Sequence, residues 1–260
     1  MQRLTSILYP LITLAVVLLV WHFSVVLLQV PDYILTTPGA VLRTLWSYFV
    51  DGSIWRHIGY TVSATLIGYV IGSTLALVLG ALLAESRTFE KFVYPLLIAI
   101  QATPKVALAP LILVWFGFGI ASKEVLVVLI CFFPLFINTI VGIRRVDPDL
   151  IDACRAFKAS RWYVFRHVKL PGAASDIFAG LQIGVALSLI GTVVGELVSS
   201  EAGLGYLIGS AAVNLNVSTM FAGVILLAAF GITGSQLVRW LHRRVVFWEA
   251  GRAADTRADT

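Results

Sequence analysis

Charge is what this chain has least of. Asp, Glu, Lys and Arg make up 13% of it against 59% hydrophobic residues, whereas a soluble globular domain carries about 25% charged residues. That balance excludes an ordinary soluble fold. Cysteine is nearly missing as well: Cys131 lies in an apolar run and Cys154 in a basic segment, so neither a disulfide nor a thiolate metal site is expected. The four histidines, His22, His57, His167 and His242, show no i, i+4 pairing, which removes the usual helical metal signature. Nothing fits G-x-x-x-x-G-K-[ST], so no phosphate-binding loop of that kind is present. There is no long internal repeat, low-complexity tract or second soluble domain.

What the chain has instead is long apolar runs. They fall near 7–29, 58–84, 92–116, 122–143, 176–199 and 219–240, each about the length that crosses a bilayer core. They predict an all-α membrane protein with about six transmembrane helices in a single domain over 1–260. Its parts are an N-terminal span at 7–29, an outer amphipathic segment at 36–50, core spans over 58–240, an inner loop at 144–175 and a polar tail at 248–260. The first run follows Arg3 without a small-residue cleavage site and reads as an uncleaved span.

The basic residues sort by side. Arg3, then Arg87 and Lys91, then the cluster from Arg144 to Lys169, then the tail from Arg239 onward share one side. The other has Arg43, Arg56 and Lys123, the last at a short turn. By the positive-inside rule both termini and the 144–175 loop are cytoplasmic. The net charge of +5 is therefore a topology signal and calls for no nucleic acid. Trp115 and Trp240, at opposite ends of their runs, fit interfacial belts. In "TTPGAVLRTLWSYF", Thr37 can cap a helix and Pro38 suits its first turn, which predicts a helix bracing the outer membrane surface.

The third run is unusual. "QATPKVALAP" places Pro104, Lys105 and Pro110 inside it, and each proline removes a donor and clashes one turn back, so the helix must kink or break. At about 1.5 Å per residue, Lys105 lies roughly 20 Å along from Phe92. A lysine at that depth marks a solute pathway, or else forms a structural ion pair with Glu124 or Glu196. In the fifth run Gly180, Gly184, Gly191 and Gly195 share one stripe, the pattern of close helix packing. Gly68 and Gly72 repeat it in the second run. Glu196 lies about 130° from that stripe at 100° per residue, so it faces a cavity or another helix.

The inner loop holds "DLIDACRAFKASRWYVFRHVKLP". Pro148 can open one amphipathic helix after Asp147, Lys158 and Ala159 mark a break, Ser160 can cap a second helix, and Pro171 ends it. Taken from the residues alone, such a pair could dock a partner, lie on anionic lipid, or only enforce topology.

This loop resembles the EAA loop of permease subunits of ATP-binding cassette importers. That pattern is E-A-A, three residues, Gly, then about nine residues to a hydrophobic, any residue, Leu-Pro. Here it reads Asp152, Ala153 and Cys154, then Lys158, then Val168, Lys169, Leu170 and Pro171. "TPKVALAPLILVWFGFG", "FFPLFINTIVGIRRVDPDL", "SRWYVFRHVKLPGA" and "GELVSSEAGLGYLI" extend it to the nitrate, sulfonate, taurine and bicarbonate group of permeases, over nearly all of 31–245. The resemblance implies a type I importer permease fold, MetI-like, in a bacterial inner membrane. It implies a coupling helix with its tip at Asp152 to Ser160, including Arg155 and Phe157 and followed by Arg161, seated on a cytoplasmic ATPase subunit.

The partners so implied are a second permease copy, two ATPase subunits that bind ATP and magnesium, a periplasmic or lipid-anchored solute-binding protein, and a small solute, with lipid around the spans. The chain itself would be no enzyme and hold no cofactor. Lys105, Pro104, Pro110, Glu196, Gly203, Leu204 and Tyr206 are the expected pathway and gate residues. Lys105 suits a small anion; importers of vitamins or pyrimidine precursors are the alternative. Readings from other classes are a membrane enzyme using Lys105 and Glu196 as acid and base, and an ATP-independent channel or secondary transporter. Lys158 departs from the family glycine, so it must take up a left-handed turn or reshape it.

Overall fold

Glycine spacing sets which helix lies at the centre. The structure, a computed structural model, describes residues 2–248, with side chains at all of these except 2–7, 87, 89 and 90. Its helices are α1 (Gln2–Leu27), α2 (Pro38–Val50), α3 (Ile54–Glu85), α4 (Arg87–Ala102), α5 (Ala109–Phe116), α6 (Ile120–Arg144), α7 (Pro148–Ala156), α8 (Arg161–Val164), α9 (Leu170–Gly172), α10 (Ala174–Val198), α11 (Leu204–Val213) and α12 (Val217–Val245). A 3-10 turn at Lys105–Leu108 joins α4 to α5, and a π-helical turn at Phe165–Lys169 joins α8 to α9.

α6 is the central helix. A Cβ on Gly72 of α3 would lie 2.7 Å from the Cys131 Sγ of α6, and one on Gly180 of α10 would lie 2.9 Å from the Leu135 Cα. Only glycine lets both neighbours come this close, and with lipid as apolar as leucine it is this packing that holds the spans together. Gly191 and Gly195 likewise abut Val127 and Lys123 of α6, while Gly184 meets the Tyr69 ring of α3.

The contacts also fix direction. Gly68 meets Val127, Gly72 meets Cys131 and Gly80 meets Thr139, so α3 and α6 run parallel. Gly180 meets Leu135 and Gly195 meets Lys123, so α10 runs antiparallel to both. The chain leaving α3 must therefore return to the end where α6 starts, and α4 with α5 makes that crossing. α1, α3, α6, α10 and α12 are each long and apolar enough to span a membrane, and the α4–α5 pair, bent by 84°, makes a sixth span. One end of the bundle, the loop end, carries α7, α8 and α9. The other, the hairpin end, carries α2 and the α10–α11 and α11–α12 turns.

At the hairpin end, Thr37 caps α2, accepting from the Ala40 N–H at 3.3 Å. Leu45, Tyr48 and Phe49 of α2 pack against Ile54, Leu204, Leu207 and Leu226, so α2 braces that end of the bundle. α1 stands largely apart with its apolar side chains exposed. It is tied in by the Trp21 indole, which donates to the Thr36 carbonyl at 2.9 Å and packs on Phe221. The expected polar tail lies, past Trp248, outside the described residues.

Candidate functional site

The break in the third span falls at Thr103 and Pro104. A residue before proline is pushed out of the helical region, and α4 ends at Ala102 while Pro104 is extended, with φ −68° and ψ 96°. Pro110 breaks nothing: it occupies the first turn of α5, where its missing N–H is no loss. Lys105 opens the short turn between the half-helices. Its ammonium donates to the Gln101 carbonyl at 3.0 Å and sits 4.5 Å over the Phe133 ring. The ion pair with Glu124 or Glu196 is not formed.

Beside this break lies a cleft of about 490 Å³, lined by Gln101, Thr103, Pro104, Lys105, Phe133 and Leu187 among others. A second, of about 540 Å³, is lined by Tyr94, Gln101, Phe133, Phe136, Arg144 and Arg145 among others. Gln101, Phe133 and Ile137 belong to both, so they form one trough from Lys105 toward the loop end. Broken backbone at membrane depth is tolerated where it lines such a cavity. The trough is polar at Tyr94, at Gln101 with Thr103, at Lys105 and at the two arginines, and otherwise apolar.

The hairpin end holds two buried charges. Lys123 is 0% exposed and Glu196 is 1% exposed. The Lys123 ammonium donates to the Phe118 carbonyl at 2.8 Å and to the Ser199 carbonyl. Those carbonyls sit just past the C-termini of α5 and α10, where backbone acceptors are left over and the helix dipole is negative. The Glu196 carboxylate accepts from the Thr61 hydroxyl and from the Gly205 N–H, both at 2.7 Å. The latter is at the positive N-terminus of α11. Thr61 in turn accepts from the Leu204 N–H at 2.8 Å. His57 Nδ1 lies 3.2 Å from the Gly203 N, and its ring stacks on Tyr206. Gly203 has φ +115°, and any Cβ there would overlap the Glu196 carboxylate, so only glycine fits.

The loop end carries the helix pair. Asp147 caps α7 by accepting from the Asp149 N–H at 2.9 Å, with Pro148 in the first turn. α7 ends in a two-bond cap: the Lys158 N–H bonds the Arg155 carbonyl at 2.8 Å, and the Ala159 N–H bonds the Cys154 carbonyl at 3.1 Å. This is the Schellman geometry, whose closing residue is left-handed. Lys158 is that residue, with φ 57°. The position the family gives to glycine thus keeps the left-handed turn, at a cost of about 1–2 kcal/mol for a residue with a Cβ. Ser160 then caps α8, accepting from the Tyr163 N–H at 3.2 Å.

The turn leaves Phe157 89% exposed at its tip. Arg155 pairs with Asp152 at 3.0 Å on the open face of α7. Arg155 and Arg161 border a cleft that also includes Glu85 and Lys169, and those last two form an ion pair at 2.5 Å. That pair ties the loop to the end of α3. Leu170 and Pro171 lie in α9, which leads into α10.

A family model described as the binding-protein-dependent transport system inner membrane component matches residues 72–247. The chain belongs to that family. Similar curated proteins are permeases of the same kind. The riboflavin transport system permease protein RibX of Chloroflexus aurantiacus is 39% identical, over 92% of this chain and 89% of its own. The putative aliphatic sulfonates transport permease protein SsuC of Bacillus subtilis is 32% identical, over 90% and 85%. Among solved structures, an inward-facing conformation of the MetNI methionine transporter aligns with a TM-score of 0.60 at 20% identity, over 72% of this chain and 94% of that one. The permease therefore has the type I importer fold and is a multi-pass membrane subunit of an ATP-binding cassette importer.

Sequence reasoning missed Lys123, read as a residue of a short turn. It lies in the first turn of α6, which starts at Ile120 because Gly117, at φ 77°, and Gly119 end the preceding turn. Thr61 and His57 were also missed. One signal for the knot was available: Lys123 begins one span and Glu196 ends another at the same side, so the two charges lie at one depth.

Proposed function

We propose that two copies of this permease enclose a pathway along the Lys105 trough, and that ATP hydrolysed by two cytoplasmic partner subunits drives its alternating access. The loop end and both termini then face the cytoplasm, and the hairpin end receives solute from a binding protein. The observation that carries this is the tip of the loop. A capped helix, a left-handed turn and a second capped helix lift Phe157 clear of the bundle, and a large exposed aromatic beside Arg155 suits a groove on a partner. The family pattern gives that role to the segment Asp152 to Ser160, with Arg155 and Phe157 as the anchors.

The solute in this reading is a small organic anion such as a sulfonate. The trough offers the Lys105 ammonium near one end and the Arg144 and Arg145 guanidinium groups at the other, between largely apolar walls, and cations in such surroundings attract anions strongly. A second reading is a heterocyclic vitamin or its precursor. Tyr94, Phe133 and Phe136 supply flat aromatic walls, and relatives include RibX and a formylaminopyrimidine permease, ThiX. Purification of the assembled transporter tests both. An ATPase subunit should accompany the permease, and the small molecule eluted from the cleft of its binding protein names the solute. A permease that purifies alone from cells expressing the ATPase subunit would sink the coupling role.

A further inference from the structure

The knot at the hairpin end joins four helices, of which only α10 and α11 are neighbours in sequence. Thr61 belongs to α3, Lys123 to α6, Glu196 to α10, and the amides of Leu204 and Gly205 to α11. Lys123 adds the turn between α5 and α6 through the Phe118 carbonyl. α11 has only ten residues, and an isolated helix of that length is marginal. Besides the packing of Leu204 and Leu207, its place depends on what grips its N-terminus, and that grip is the Glu196 carboxylate and the Thr61 hydroxyl. Gly203 and Gly205 have no side chain, so the carboxylate can reach them.

α11 leads to an exposed turn at this end. Val213 is 84% and Leu215 62% exposed, and Leu215 is held in a left-handed turn at φ 55°, with Asn214 and Asn216 beside it. An apolar tip with a polar rim, fixed in a strained turn, has the make-up of a protein contact. It lies at the opposite end from the ATPase-facing loop, where a binding-protein-dependent permease must meet its binding protein.

We propose that Thr61, Lys123 and Glu196 are positioning residues that lock the α5–α6 turn, the α10–α11 turn and the α11 hairpin into one fixed surface on which the solute-binding protein docks. This rests on the functional reading above. None of the three touches solute; each acts through the backbone it holds.

The test uses the complete transporter in liposomes, with Thr61→Val, which keeps shape and removes the bridging hydroxyl, beside Thr61→Ser, which keeps it. Amide exchange at Leu204 and Gly205 should rise about tenfold in Thr61→Val, the scale of losing one hydrogen bond to a charged group. The concentration of ligand-loaded binding protein giving half-maximal ATPase stimulation should rise by a similar factor, with the maximal rate kept within about twofold and Thr61→Ser close to wild type. Unchanged exchange, or unchanged half-saturation, overturns the proposal. A fall in maximal rate and assembly together, in both variants, overturns it too, because it shows a merely structural site. If the wild-type complex shows no stimulation by the binding protein, the functional reading fails, and amide exchange still decides whether Thr61 grips α11.

Discussion

Two lysines in apolar surroundings have opposite settings, and the contrast separates pathway from scaffold. Lys105 stands at a helix break, with one carbonyl and one aromatic face as partners and an open trough beside it. Lys123 is sealed, 0% exposed, with two carbonyls at helix ends as partners. Rarity of charge in a membrane span marks both equally. What differs is the remaining bonding capacity. An ammonium has three donors, and Lys105 can turn toward a solute at the loss of one carbonyl bond, whereas Lys123 can move only by stranding the ends of two helices.

That contrast breaks if the two substitutions behave alike. Lys105→Ala should abolish solute uptake by the reconstituted transporter while assembly and stimulated ATPase activity persist; normal uptake would remove Lys105 from the pathway. Lys123→Met should do the reverse of a pathway lesion. It matches the stem but strands the helix-end carbonyls and the Glu196 charge nearby, so stability should fall by about 3–5 kcal/mol, read as thermal unfolding in detergent and as yield from membranes.

Smaller effects sharpen the scaffold side. Gly72→Ala places a methyl against the Cys131 Sγ between α3 and α6, and overpacking of this kind should cost about 1–3 kcal/mol. Lys158→Gly should relieve about 1 kcal/mol of left-handed strain and leave ATPase docking equal or tighter. A clear loss of the complex would show that the Lys158 side chain itself makes the contact.

Much of this fold was legible because membrane constraints are strict. Apolar length marked the six crossings, and Pro104 marked a place where the helix could break, since a proline disfavours helical backbone in the residue before it; Pro95 and Pro134, which stay inside α4 and α6, show that proline alone does not fix the place. The stripe of Gly180, Gly184, Gly191 and Gly195 marked a close-packed face without naming its partner; that α6 is shared by α3 and α10 depends on long-range register. The caps Thr37, Asp147 and Ser160 were local and readable. Of the hairpin-end knot, only the shared depth of its two charges was. Lys123 is bonded to two carbonyls and Glu196 to the Gly205 amide and the Thr61 hydroxyl; backbone partners leave no residue-type signature in a sequence, and Thr61 is one of three threonines in α3. The trough was half legible: Lys105 stood out by its charge, whereas Gln101 and Phe133, which join its two clefts, look like ordinary span residues.

A pathway formed by this chain and powered by a separate ATPase makes uptake depend on both. Uptake of the solute eluted from its binding protein, measured in liposomes with and without the ATPase subunits and ATP, reads that dependence. Uptake should require the permease, both partners and ATP together. Transport by the permease alone, at the same rate without ATP, would contradict it.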